Sequence, residues 1–277
     1  SCREMREFHD KWHGYGDGQI LVDASVHGEY TSNPPLWRWM AEYAAEHRLG
    51  MHVHVSETQS EHEGSLTRWG LTPFRILDRY GVWDTRAIAA HCVWTTEDDW
   101  AGMAEKGVAC VHNPVSNLKL GSGVAWIPAM KAAGVPIALG TDGVSSNNNQ
   151  DMFEEMKFAA VLHNGVTRDP LALLPQDVLA MATREGAKAL GRQTGRIAPG
   201  YVADLILVDF TRPHLTPCHS VMDNLVYAAH GSDVVMNMAR GKIIYKDGTF
   251  LTLDLEKIQA EVKSYALPRL FGDGKTW

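Results

Sequence analysis

A chain of 277 residues with 45% hydrophobic and 21% charged side chains can bury one large α/β core plus a small appendage, which excludes a disordered or low-complexity polypeptide. The formal net charge of −7 includes no basic stripe, so nucleic acid and anionic membrane are poor partners and a small uncharged or cationic substrate fits better. Cys2, Cys92, Cys110 and Cys218 are too scattered for a thiolate zinc cluster or a disulfide scaffold, and no apolar run is long enough to span a bilayer, so the expected setting is the cytoplasm.

Met5, Phe8 and Trp12 stand at helical spacing over residues 3–12, and Gly14, Gly16 and Gly18 end that helix. The chain opens inside it without an initiating Met, so further sequence upstream is expected. A short apolar strand follows at 20–24, then His27 in a turn-rich loop. Asn33-Pro34 supplies a cap and a first-position proline for a helix whose buried stripe is Trp37, Met40, Ala41, Ala44 and Ala45, stopped by Gly50. After the strand carrying His52, in the first half of segment 51–58, comes a charged loop, then a helix at 73–80 capped by Thr72. Strands are expected at 87–90, ending in His91, at 108–111, ending in His112-Asn113-Pro114, and at 136–139, ending in Thr141-Asp142-Gly143. Between them lie a helix from Thr96 to Gly107 and another at 127–133. Helices at 151–164 and 176–190 follow, the first with a core stripe of Phe153, Met156, Ala160 and Val161. Segments 195–209 and 234–250 alternate as β structure with Gly and Pro punctuation, an antiparallel addition.

The segment Met51-His52-Val53-His54-Val55-Ser56-Glu57 concentrates the chemistry. Its two-residue period reads as a strand buried on both faces, with His52 and His54 on one side. Glu57 lies in the loop beyond, a spacing that suits a metal ligand followed by a proton shuttle, although a strand histidine alone is more often a core imidazole bonded to a carbonyl. Short apolar strands alternating with amphipathic helices mean a parallel sheet covered by helices. His27, His54, Glu57, His91, His112, Asn113 and Asp142 all fall just past strand ends, where a TIM-type barrel gathers its active site. Gly121-Ser122-Gly123 lacks the rest of any phosphate motif and reads as flexible loop.

His54 with Glu57, Ala89-Ala90-His91-Cys92, His112-Asn113-Pro114-Val115-Ser116-Asn117-Leu118-Lys119-Leu120, Gly140-Thr141-Asp142-Gly143 with Ser146-Asn147-Asn148 and Asp151-Met152-Phe153-Glu154, and Gly200-Tyr201-Val202-Ala203-Asp204-Leu205 stand in one consistent order. Together they resemble the amidohydrolase superfamily, closest to its branch of methylthioadenosine and S-adenosylhomocysteine deaminases and chlorohydrolase relatives. The resemblance implies a (β/α)8 TIM-type barrel beside a small β-sandwich. It further implies that His54 and Asp142 hold one divalent metal, zinc with iron as the alternative, and that Asp142 takes a proton from the attacking water. Glu57 would protonate the ring nitrogen and help ammonia leave, His91 would hydrogen-bond the water, and His27 would touch the substrate. Blander roles stand beside these. Asp142 could be a turn residue before glycine, His91 a strand end, and His52 is the second choice as ligand; His112 and Asn113 would shape the loop. His13, His62, His163, His214, His219 and His230 read as surface or packing residues, and Trp69, Trp83, Trp94 and Trp126 as core or rim, with Trp126 the one to test against substrate.

Two features depart from the pattern. The family's first strand carries a His-x-His pair of ligands, and nothing before residue 51 can be that pair, so the barrel is expected to lack its first strands. Glu29 in His27-Gly28-Glu29-Tyr30 adds a carboxylate close to the expected substrate, where relatives have a small residue and proline. The expected organisation is a hydrolase barrel over 1–192, a sandwich portion over 193–253 and a tail over 254–277. The expected activity is hydrolytic deamination of a purine or related heterocycle by a homo-oligomer acting on a small molecule. Hydrolytic dehalogenation of a triazine-like ring and a catalytically incomplete fragment are the alternatives.

Overall fold

The computed structural model describes residues 2–272 and divides them into two compact units, one running to Arg196 and including Pro217–Gly231, the other Ile197–Thr216 with the residues from Ser232 on. The first unit is built on five parallel strands, β1 (Ala24–Ser25), β2 (Met51–Val55), β3 (Ala87–His91), β4 (Ala109–His112) and β5 (Ile137–Leu139), hydrogen-bonded in the order they occur in the chain. Parallel neighbours need a crossover between them. Helices Pro34–His47, Gln59–Trp69 with Pro73–Asp78, Glu97–Lys106, and Pro114–Lys119 with Ile127–Ala132 supply it.

Local sequence explains where these elements begin. Asn33 caps its helix by accepting Leu36 N–H, with Pro34 and Pro35 in the first positions. At Thr96, a capping box with Asp99 satisfies two donors that the helix start would otherwise orphan, an arrangement worth about 1 kcal/mol. The 34–47 helix ends one turn earlier than Gly50, at a left-handed Arg48, and its buried face is Trp37, Met40, Ala41, Tyr43 and Ala44, with Ala45 exposed. The expected first strand shrinks to Ala24–Ser25, because only those residues find partners, opposite Met51 and His52. The charged segment after β2 is a helix, Gln59–Trp69, started by the Thr58 cap.

One face of the sheet packs on a small apolar cluster of Ile88, Ala109 and Ala138 against Ala189, with Val111 beside it. Strand β2 is buried on one face only: Met51, Val53 and Val55 are fully enclosed, while His52 is exposed and His54 half-buried. In helix Met152–Thr167 the inward side chains include Phe153, Met156, Ala160 and His163. Val161 lies about 100° round the helix from Ala160 and is 47% exposed, not part of the stripe. Helix Val221–Tyr227, which falls within the expected sandwich portion, packs instead on helices Met152–Thr167 and Pro175–Ala180 in the first unit.

The second unit holds a four-stranded antiparallel sheet, β6 (Leu205–Val208), β7 (Val234–Ala239), β8 (Lys242–Lys246) and β9 (Thr249–Phe250), in chain order. Among the described residues no helix is long and apolar enough to cross a membrane.

Candidate active site

Three strand ends turn sharply at non-glycine residues: Ser56 after β2 (φ 49°), His91 and Cys92 at β3 (φ 72° and 53°), and Asp142 after β5 (φ 61°). Left-handed backbone at such residues costs on the order of 1–3 kcal/mol each and persists where the surroundings over-determine it. Here the surroundings are a web of buried polar side chains.

His54 is held by its neighbour in the sheet. Its Nδ1 lies 2.7 Å from the His27 carbonyl, which also accepts the His54 backbone N–H at 3.0 Å. A carbonyl can only accept, so Nδ1 carries the proton and the Nε2 lone pair is left for an outside partner. The His27 ring packs 4.8 Å from that of His54, with its own Nδ1 at 2.9 Å from Thr31 Oγ1.

Glu57 owes its placement to Glu61. The Glu61 carboxylate, enclosed in the first turn of helix Gln59–Trp69, accepts Ser56 N–H at 2.9 Å and Glu57 N–H at 2.7 Å. Burial pushes the Glu61 carboxyl up, against the pull of these donors. The Glu57 side chain then stands with Oε2 at 3.7 Å from His91 Nε2 and Oε1 at 3.5 Å from Ser122 Oγ. Ser122 is itself fixed: its carbonyl accepts Trp94 Nε1–H and its N–H bonds the Asn117 carbonyl, so the glycine-flanked loop is tied down at its centre.

His91 is the centre of the cluster. It is 1% exposed, its ring lies 5.3 Å from that of His54 at an interplanar angle of 20°, and its Nδ1 donates to Asn117 Oδ1 at 2.8 Å. That bond leaves Nε2 as the nitrogen facing Glu57. Burial lowers the His91 pKa, against the charge of Glu57 and the bond to Asn117, with the nearby His54 adding to the lowering and Asp142 opposing it. Asp142 accepts Ser116 Oγ–H at 2.7 Å and Gly143 N–H at 2.8 Å. Burial raises its pKa, but Ser116, Gly143, the nearby His91 and Ser146 outweigh it, and the carboxyl sits below its ordinary range. Gly140, just before it, has no room for a side chain, since a Cβ there would come 2.5 Å from Asn113 Oδ1 and 2.9 Å from Val111.

His27, His54, Glu57, His91 and Asp142 are thus linked through contacts or charge, with His91 touching or sensing three of them. Glu29 is not a free carboxylate for a substrate: it is 2% exposed, gripped by both arms of Arg68 and by Trp69 Nε1–H. Its charge is spent joining the His27 loop to the end of helix Gln59–Trp69. His112 pairs through Nε2 with His163 Nε2 of helix Met152–Thr167 at 3.1 Å. Asn117, Ser116, Glu61 and Ser122 were not singled out by sequence; the first two lie in the quoted His112–Leu120 motif, but only the fold shows that they orient His91 and Asp142.

A divalent metal finds suitable chemistry at His54 and Asp142, an imidazole with its other nitrogen committed to a carbonyl and a carboxylate kept ionised. Among the described residues, no three His, Cys, Asp or Glu side chains converge to hold an ion, so what fits is the donor type of these two residues.

The profile of the amidohydrolase family matches residues 1–244. A 5-methylthioadenosine/S-adenosylhomocysteine deaminase of Dictyoglomus thermophilum is 44% identical over 260 residues, 94% of this chain and 61% of the relative. Among solved structures, an adenosine deaminase from Xanthomonas campestris with bound zinc superposes with a TM-score of 0.91 at 34% identity, over 96% of this chain and 60% of that one. An atrazine chlorohydrolase from Arthrobacter aurescens in complex with zinc gives 0.88 at 25% identity, covering 95% and 58%. The chain therefore spans about three fifths of the length of these relatives.

Proposed function

This chain belongs to the amidohydrolase family, and from that premise we propose that it carries the acid–base part of a site for hydrolytic deamination of a purine, an adenine nucleoside above all. The observation that carries the reading is the pair formed by Glu57 Oε2 and His91 Nε2 at 3.7 Å, with the far nitrogen of His91 committed to Asn117. The names of the adenosine and methylthioadenosine deaminases similar to this chain support the substrate class.

Deamination forms a C–O bond to water and breaks the C–NH₂ bond, so one proton must reach the ring nitrogen and another the departing amine. Glu57 delivers the first and, reloaded, assists the second; a non-ligand Glu does this in other zinc deaminases. Asp142, ionised, takes the proton released by the attacking water, and His91, its Nδ1–H committed to Asn117, accepts a hydrogen bond from that water at Nε2. His27 orients the substrate beside them. His54 and Asp142 would hold the divalent metal, and zinc, which the two similar solved structures contain, supplies Lewis acidity that lowers the pKa of a bound water. Chloride departs from a triazine without a proton, whereas ammonia does not; a positioned Glu57 therefore favours the deaminase reading over the chlorohydrolase one. The test is ammonia release from a panel of adenine and guanine nucleosides against chloride release from a chlorotriazine, using the zinc-loaded protein that carries this sequence at its natural length. Chloride release without ammonia from any purine would overturn the assignment.

A further inference from the structure

Glu155 is the one fully enclosed carboxylate in helix Met152–Thr167, and the mechanism above leaves it unused. It reaches out of the first helical turn to two separate pieces of the site. Its Oε2 accepts the backbone N–H of Val115 at 3.3 Å, at the start of helix Pro114–Lys119. Its Oε1 accepts Asn147 Nδ2, and the same Nδ2 donates to the Thr141 carbonyl at 2.8 Å. Thr141 precedes Asp142 directly. On the other side, Ser116 and Asn117 follow Val115 directly, and they hold Asp142 Oδ2 and His91 Nδ1 respectively. One carboxylate therefore closes a loop of bonds running from Thr141 through Asn147 and Val115 to Ser116 and back to Asp142.

Resting on the assignment of Asp142 and His91 given above, we infer that Glu155 is a positioning residue of the reaction site, fixing the Asp142 carboxylate from both its backbone and its Ser116 side. Both groups that meet Glu155 are donors, and its two oxygens accept one from each. An amide in its place would point its own N–H₂ at one of them. Such a swap keeps the volume and hence the packing, and changes only the bonds.

The experiment uses the protein at its natural length with zinc as the probe. Zinc affinity by chelator competition, kcat and KM for ammonia release, and the thermal unfolding midpoint are measured for wild type, Glu155→Gln, Asn147→Ser, their double variant, and Glu154→Gln as a charge-matched control from the same turn. Loss of a group that orients a metal ligand costs about 10- to 100-fold in affinity or activity. Glu155→Gln should weaken zinc by about that factor and lower kcat by about 10-fold or more, with KM nearly unchanged. Asn147→Ser should do the same, and the double variant should be no worse than the stronger single change, since both cut one path. Glu154→Gln should leave zinc affinity as it is. A Glu155→Gln protein with wild-type zinc affinity and kcat, altered only in its unfolding midpoint, would overturn the inference and leave the proposed function standing. If Glu155→Gln does not fold, a wild-type zinc affinity in Asn147→Ser overturns it equally. A wild-type protein that binds no zinc would instead sink the site assignment on which the inference rests.

Discussion

At the residue scale, the proposed reaction divides the labour between Glu57 and His91. His91 has one nitrogen bound to Asn117 and its pKa lowered by burial, which suits it to orient; Glu57, half-buried at 3.7 Å from it, is the proposed proton carrier. Replacing Glu57 with Gln keeps the shape and the contact to Ser122 but removes the transferable proton. Turnover of the natural-length protein should fall by about two orders of magnitude or more, the usual worth of a general acid–base group, while zinc content and KM change little. Steady-state kinetics on a purine nucleoside with metal analysis of the same samples checks this, and unchanged turnover would strip Glu57 of the role. Sequence could locate Glu57 because its distance from His54 along the chain is short. It could not show that Glu61, four residues on, holds the Glu57 backbone, because an acidic residue in a first helical turn is equally at home facing solvent.

At the scale of elements, strands and their terminal residues were legible, since β2 to β5 are short apolar runs closed by His, Asn or Asp. Several helices were not, among them Gln59–Trp69, whose only large apolar residues are Leu66 and Trp69, and Pro114–Lys119, which opens with proline inside a motif that reads as loop. The first is started by the Thr58 cap and the second is held by the bonds of Val115, Ser116 and Asn117 to Glu155, Asp142 and His91, neither by an apolar stripe. The same limit hid Glu155, whose neighbours are distant in sequence, and the pairing of His112 with His163, which joins β4 to helix Met152–Thr167. Burial drives the His163 pKa down to about 4, and pushes that of His112 well below its ordinary value with help from His163 and His91. Unfolded imidazoles take up protons below about pH 6.5 while these resist, so their contribution is present at pH 7 and is lost as the pH falls toward 4. Glu155, raised to about 7 chiefly by burial, acts in the opposite sense, its share being greatest at acid pH and lost as the pH rises through 7. A difference measurement separates the two. The stability gap between wild type and His163→Asn should narrow by about 2 kcal/mol between pH 7 and pH 5, as linkage requires for a histidine shifted this far. Denaturant midpoints at the two pH values decide it; a gap independent of pH would mean that His163 is not held neutral by the fold.

For the whole molecule, the sheet of five parallel strands has two margins, the outer sides of β1 and β5, whose ladder groups have no strand partner among the described residues. A barrel of the kind its family uses closes on itself because open parallel edges are unfavourable, and closure also brings strand ends from all sides to one mouth. The proposed donors are two, His54 and Asp142, and among the described residues no three His, Cys, Asp or Glu side chains are grouped to hold an ion. Catalytic zinc is held by three protein ligands plus a water, so a site with two should bind far more weakly and release its ion readily. The 277 residues expressed by themselves are therefore expected to lose zinc on dialysis and to release no ammonia. A polypeptide in which a strand carrying His-x-His is added beside β1 or β5 should regain both, because it supplies ligands and pairs an open margin in one step. Metal analysis after dialysis and an ammonia assay on both polypeptides provide the comparison. One tightly held zinc per chain in the 277-residue polypeptide would show that a third donor, with His52 the nearest in sequence to His54, swings into the site.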